Sequence, residues 1–159
     1  ALPAGTRIAI YSTDTFVYAA ADAGSSPGAI TPAGTAITIV DDTDEDQVQL
    51  SSAHDFLFES PDQRLYVVES PVTYQCDLGA GTVTRYAGYG FAAAQPTNPA
   101  AAPLGSGRSA LLAEGITRCD FEYVDGTSSR NGLLTVDVAV EDQGERVNLF
   151  HQNHVETTP

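Results

Sequence analysis

Two stretches in the last third of the sequence alternate between apolar and polar side chains. In the first, Cys119, Phe121 and Tyr123 alternate with charged residues, and in the second every other residue from Leu134 to Val140 is Leu or Val. Successive side chains of a β-strand point to opposite faces, so a period of two collects the apolar side chains on one face. The two stretches therefore predict half-buried strands of an antiparallel sheet.

Two hairpins are predicted from the turn residues between apolar runs. Residues 142–144 contain Asp, Gln and Gly and predict a turn, after which residues 146–155 form the final strand. Val72–Asp77 and residues 82–89 are joined by a connection with two glycines, which accept the positive φ of a tight hairpin. Shorter apolar runs predict four more strands, at residues 7–11, 36–40, 56–58 and 65–68.

The segment between the second hairpin and the alternating stretches has no strand period. Residues 92–109 are rich in Pro, Gly and Ala and predict a surface loop. In the SALLAEG sequence that follows, Ser109 is expected to cap one helical turn. Together these elements predict a single domain over residues 1–159 that is mainly β.

The charge balance excludes several classes of function. The chain of 159 residues has 21 acidic and 7 basic side chains, for a formal net charge of −14. Phosphate backbones and anionic lipid heads are repelled by such a surface, so nucleic acid and peripheral membrane binding are not expected. The chain opens without Met and without the regions of a signal peptide. We expect a processed or truncated piece of a longer protein, with a helix before Ala1 that covers the open sheet face.

The two cysteines occur in predicted strands. Cys76 and Cys119 have no CxxC motif or Cys/His cluster around them, so a zinc site is not expected. A disulfide between them is favoured, which would place the chain in the periplasm or outside the cell. Two free thiols in the core are the alternative.

An acidic cluster at residues 41–46 resembles the start of a calcium-binding loop. Its acidic residues fit the first three ligand positions of an EF-hand that begins at Asp42. The match ends there, because Gln47 replaces the glycine of the sharp turn and Ala53 replaces the bidentate Glu. A solvated turn is predicted, with an irregular calcium site as the alternative.

The remaining residues with chemical potential give no catalytic assignment. His151 and His154 are three residues apart, so in a strand they point to opposite faces and cannot chelate one ion together. The sequence has no phosphate-binding loop, nucleophile elbow or dinucleotide fingerprint. We therefore predict a protein that is not an enzyme and assign no catalytic residue, metal ligand or cofactor. Tyr86 and Tyr89 precede the Pro-rich loop and are candidates for surface contact, although ordinary packing is the favoured interpretation.

Four segments, taken together, resemble a known family. The chain is similar to the minor pseudopilins of the mannose-sensitive haemagglutinin (MSHA) type IV pilus system and, more distantly, to the J component of type II secretion pseudopilins. The resemblance covers residues 7–159 and is strongest from Ser60 onward. It is carried by SPDQRLYVVESPVTYQCD (60–77), GAGTVTRYAGYGFAAAQPT (79–97), ALLAEGITRCDFEY (110–123) and GLLTVDVAVEDQGERVNLFHQNHVETTP (132–159).

The resemblance implies an α+β fold, mainly antiparallel β, in which a pilin-like head lacks its long N-terminal helix. It implies a non-catalytic subunit that helps to initiate or cap a pilus by binding other minor pilins and the major pilin. The membrane would be reached only through the helix absent here. Such a protein starts at the periplasmic face of the bacterial inner membrane and ends at the pilus tip. Cys76 and Cys119 match the paired cysteines of the family.

An adhesin-like head is the alternative function. A tip subunit could bind a glycan or a cell surface through Tyr86, Tyr89 and the loop at residues 92–109, because aromatic rings beside a loop can stack on sugars.

Overall fold

Strands dominate the computed structural model of this chain. Strands account for 51% and helical residues for 2% of the structure. The Cα positions divide into two compact units, one built mainly from Ala1–Ser70 with Gly90–Gln95 and the other from Pro71–Tyr89 with Pro96–Thr158. The structure describes residues 2–3, 5–11, 27–41, 43–44, 46–92, 94–127 and 129–155.

The nearly all-β structure corrects the predicted α+β, pilin-like fold, which is wrong. Within the described ranges, the helical content is one 3₁₀ turn at Leu104–Ser106. None of the described helical residues belongs to a helix long and apolar enough to cross a bilayer. The physical reason is that apolar side chains recur at every second residue along the longest strands, a period typical of β-structure. The chain therefore forms small antiparallel sheets.

The helical turn expected after Ser109 is also wrong. Residues Arg108–Glu114 form a strand that pairs antiparallel with Thr82–Ala87. A single helical turn has little stability in isolation, whereas the strand satisfies its backbone groups against a neighbour. The tertiary context therefore overrides the local helical preference of Ala and Leu.

The first unit contains two small sheets and a short core. Ala9 and Ile30 are buried at its centre, and Tyr66, Val68 and Phe91 pack against them. The predicted strand at residues 56–58 is reduced to one bridge, and a strand that the sequence did not predict follows the acidic cluster. The strands are β1 (Arg7–Ala9) paired with β4 (Tyr66–Val68), and β2 (Ile37–Val40) paired with β3 (Gln47–Leu50).

The second unit contains two three-stranded antiparallel sheets. In the first, the order is β5-β6-β7, and in the second it is β10-β9-β8. Both predicted hairpins are present, with β6 ending two residues earlier than expected. The strands are β5 (Val72–Asp77), β6 (Thr82–Ala87), β7 (Arg108–Glu114), β8 (Ile116–Val124), β9 (Gly132–Asp142) and β10 (Glu145–Val155).

Gly115 joins the two sheets of the second unit. The Ile116 N–H donates to the Gly81 carbonyl at 2.9 Å, and the Glu141 N–H donates to the Gly115 carbonyl at 2.8 Å. The chain therefore stops pairing with β6 and starts pairing with β9 at this residue. Gly115 has φ +73°, and a Cβ there would lie 2.6 Å from the Glu141 carbonyl oxygen. Glycine is required by both the backbone conformation and the close approach.

Candidate binding face and sheet edge

A disulfide links the two sheets of the second unit, as the sequence favours. Cys76 on β5 and Cys119 on β8 are bonded, with their Cα atoms 6.4 Å apart and a separation of 43 positions in sequence. The described residues contain no free cysteine. Disulfides persist in oxidising compartments, and the bond is compatible with such a compartment.

One face of the β8-β9-β10 sheet is apolar. The register places Val138 of β9 opposite Cys119 of β8 and opposite Leu149 of β10, so these three side chains share a face. Every second residue of each strand continues that face, which also carries polar side chains towards the two ends of β10, namely Glu145, His151 and Asn153. We call this surface the apolar face, and its members are Phe121, Tyr123, Leu134, Val136, Val138, Val140, Val147 and Leu149.

The outer strands of the apolar face are exposed to solvent, whereas its side chains on β9 are half-buried and Cys119 is bonded to Cys76 of β5. Phe121 and Tyr123 on β8 are 42% and 44% exposed, and Val147 and Leu149 on β10 are each 56% exposed. Scattered exposed apolar side chains are ordinary on a protein surface, but a contiguous group on one sheet face marks an interaction site. The alternation in the sequence predicts this face, and the described residues leave its side chains on β8 and β10 about half exposed.

The opposite face of the same sheet is acidic. Arg118 forms a salt bridge with Asp137, and the register puts Arg146 directly opposite Glu141. The remaining carboxylates have no basic side chain directly opposite them on this face. We call this surface the acidic face, and its carboxylates are Asp120, Glu122, Asp137 and Glu141.

The two tyrosines singled out in the sequence lie in different environments. Tyr89 is only 7% exposed, and its hydroxyl is hydrogen-bonded to the Thr73 hydroxyl at 2.5 Å. Tyr86 is half-buried on β6, where it pairs with Thr73 on β5 and Ser109 on β7. The ring of Tyr89 is therefore part of the packing and offers no stacking surface to a sugar.

The acidic cluster lies in the connection between β2 and β3. Asp41, Asp44 and Asp46 belong to the described residues, whereas Asp42 and Glu45 lie outside them. Among the residues with described positions, no group of three His, Cys, Asp or Glu side chains could hold a metal ion. The described part of the cluster is a solvated turn.

The two C-terminal histidines face opposite sides of β10, as predicted. His151 pairs with Val136 on the apolar face, and His154 pairs with Leu133 on the acidic face. His151 Nε2 lies 2.9 Å from the amide oxygen of Asn153, which is two residues further along the same face. The pair cannot chelate one ion.

One described cleft belongs to the first unit. It encloses about 520 Å³ beside β1 and β2 and is open to solvent on one side. The residues that line it are apolar or small, with Arg7 and three threonines as its polar members, and none is Asp, Glu, His or Cys. Its walls hold no pair of a nucleophile and a base for catalysis. The residues that line the cleft include Leu2, Pro3, Thr6, Arg7, Pro32, Gly34, Thr35, Ile37 and Thr38.

Sequence reasoning missed the position of β10. The alternation on β9 and the turn at residues 142–144 identify a hairpin, but they do not say which strand is outermost. Strand order depends on long-range pairing, and no local pattern encodes it. A local indication was present in the lack of charged residues from Val147 to Val155, which is unusual for an exposed strand.

Comparison of the chain with protein-family models, with curated proteins and with solved structures finds no match.

Proposed function

We propose that this protein is a non-catalytic subunit that binds other protein chains during assembly of a type IV, MSHA-type pilus outside the cytoplasm. The observation that carries the proposal is the apolar face, whose Phe121, Tyr123, Val147 and Leu149 side chains are about half exposed. Large apolar side chains, aromatic ones above all, supply most of the binding free energy in protein interfaces. The choice of the pilus as the assembly rests on the resemblance of residues 60–159 to minor pseudopilins.

The disulfide and the charge agree with such a role. The bond between Cys76 and Cys119 suits the periplasm, where a pilus subunit meets its partners. A net charge of −14 keeps the free subunit soluble and repels copies of itself. Binding is then restricted to limited neutral patches, of which the apolar face is one.

Site-specific photo-crosslinking in cells that make the protein tests the proposal. A photoreactive phenylalanine at position 121 should give covalent adducts with pilus subunits, and the same group at the exposed Glu59 in the other unit should give none. Deletion of the gene should reduce the number of surface pili. The proposal is wrong if position 121 gives no adduct with a protein chain, or if pili form in normal numbers without the gene.

The adhesin-like alternative is tested on the same protein. Glycan-array binding that falls in a Tyr86→Ala variant would favour a surface-binding head. Tyr86 is used because it is half-buried and Tyr89 is buried. We expect no glycan binding by the wild-type protein.

A further inference from the structure

Strand β10 forms one edge of its sheet and presents backbone groups that pair with no other described strand. Its strand partner among the described residues is β9, and the two pair over all 11 residues of β10 without a register shift. In an edge strand of an antiparallel sheet, alternate residues direct their N–H and C=O groups outward. A regular edge of this length is a template for another extended chain.

The two edges of this sheet differ in how they are protected. Folded proteins block open edges with charged side chains, prolines and bulges. Strand β8, at one edge, carries three charged side chains and a register shift near its start. Strand β10, at the other edge, is charged only at Glu145 and Arg146 and has neither a proline nor a register shift. The edge at β10 is therefore the one suited to strand addition.

The side chains of β10 set what the added strand must present on the apolar face. Val147 and Leu149 there are each 56% exposed. An added strand would lie about 4.8 Å from β10, with its own side chains alternating between the same two faces. Apolar side chains at every second position would extend the apolar face and bury Val147 and Leu149.

The opposite face sets the charge of the added strand. It carries four carboxylates and two guanidinium groups, and Asp137 lies directly opposite Phe150, which is 66% exposed at the edge. A strand added outside β10 would lie about 10 Å from β9, which is close to the Debye length at physiological ionic strength. On this face β10 itself carries one charged side chain, Arg146, and the nearest carboxylates are Asp137 and Glu141 on β9. Together with the net charge of −14, these carboxylates favour basic over acidic side chains at the alternate positions away from Arg146.

The same charge argues against a second copy as the occupant. Each chain carries a net charge of −14, so two copies brought together at this edge repel one another. An isologous pair would also bring two acidic faces together across the shared edge. The charge favours a different, basic chain.

We propose that β10 binds, by strand addition, an extended segment of a partner protein in which apolar side chains alternate with Arg or Lys. The proposal rests on the protein-binding function argued above and names the chemistry of one partner. Main-chain hydrogen bonds to the outward groups of β10 supply affinity, and the alternating side chains supply specificity.

Titration of the oxidised 159-residue protein with three synthetic nine-residue peptides tests the proposal. One alternates Val and Lys, the second has Glu in place of Lys, and the third is the Val/Lys peptide with alternate backbone nitrogens methylated. We expect the Val/Lys peptide to bind at least tenfold more tightly than either of the others, and its affinity to fall as salt is raised. Equal binding of the methylated peptide, or no binding of the Val/Lys peptide, would overturn strand addition.

A matched pair of variants locates the binding. Leu149→Lys places a charge on the exposed centre of β10 and should weaken Val/Lys peptide binding at least tenfold. Leu57→Lys changes the same residue type at a position 41% exposed in the other unit and should bind like the wild type. Circular dichroism checks that both variants fold. Equal affinity of the two variants would place the site elsewhere.

Three further outcomes are informative, and the last two separate this proposal from the proposed function. A stable dimer of the free protein at physiological salt, abolished by Leu149→Lys, would identify a second copy as the occupant and overturn the basic partner. Adducts from position 121 together with a failure of all peptides would leave the protein-binding function standing and reject strand addition. Peptide binding at β10 without any cellular adduct would reject the pilus role and leave the edge site in place.

Discussion

Gly115 lies between β7 and β8, and the backbone conformation there requires glycine. Gly115→Ala should lower the free energy of unfolding by about 2–4 kcal/mol, because alanine is strained at φ +73° and its Cβ would lie 2.6 Å from the Glu141 carbonyl oxygen. Gly144→Ala is the matched control, since Gly144 has φ +85° and no atom near a Cβ. Urea denaturation measures both. Equal losses in the two variants would show that the close approach at Gly115 has no energetic effect.

The Cys76–Cys119 disulfide should stabilise the second unit through the unfolded chain. The bonded residues are 43 apart in sequence, and closing a loop of that length contributes about 2–4 kcal/mol. Reduction of the wild type should therefore lower the midpoint of urea denaturation. The Cys76→Ala/Cys119→Ala double variant should already have the lower midpoint and should not respond to reductant. A wild-type midpoint that is unchanged by reductant would contradict the prediction.

The sequence predicts which sheet face a strand residue occupies, but it does not predict the residue's distant contacts. The period of two fixes which face Phe121 and Leu149 occupy, because alternation is a local property of strands. The burial of Tyr89 depends on Thr73, a partner 16 residues away on another strand. Ordinary packing is the favoured interpretation of Tyr89 from the sequence, but no pattern near Tyr89 identifies Thr73 as its partner.

At the scale of elements, a substitution in the β9-β10 turn should make the protein more stable. Gln143 and Gly144 have φ values of 49° and 85°, the two positive φ angles of a type I′ hairpin turn. Gln143→Asn should increase the free energy of unfolding by about 0.5–1 kcal/mol, because Asn tolerates positive φ better than Gln. The melting temperature should rise accordingly. Gln143→Val should lower it, since a β-branched residue is disfavoured there. Scanning calorimetry that gives the opposite order would show that the turn does not adopt this conformation in solution.

Strands were predictable where two local features agreed. Val72–Asp77 has the predicted bounds because its apolar pattern ends at a glycine-rich turn. The strand at Arg108–Glu114 was missed because Ala and Leu favour helices locally, and pairing with β6 decided the outcome. β3 was missed for a similar reason, since Gln47–Leu50 is short and follows a run of acidic residues. Pairing partners, which a single sequence does not reveal, account for both failures.

For the whole molecule, net charge and exposed apolar surface have opposite effects on self-association. At low salt the charge of −14 should keep the protein monomeric at 16.7 kDa in sedimentation experiments. At about 1 M salt the Debye length falls to about 3 Å, so copies should begin to associate through the apolar face and β10. Leu149→Lys should reduce this association. Oligomers at low salt that dissociate at high salt would contradict the prediction.

The fold class was predictable only in part. The strands, the hairpins and the open sheet face follow from apolar periods that the sequence displays directly. The expected α+β arrangement came from a resemblance instead of a helical pattern in these residues, and the described structure is nearly all β. A helix cannot be inferred from residues that carry no period of 3.6.

Amide hydrogen exchange along β10 tests the central claim most directly, because it reads the backbone groups through which a partner strand would bind. The protein is measured alone and in the cross-linked complex recovered from cells. We predict that exchange of the outward-directed amides within Val147–Val155 slows at least tenfold in the complex, while that of the β2-β3 hairpin is unchanged. Equal exchange of the β10 amides in the two states would contradict the claim that this sheet edge is the binding site.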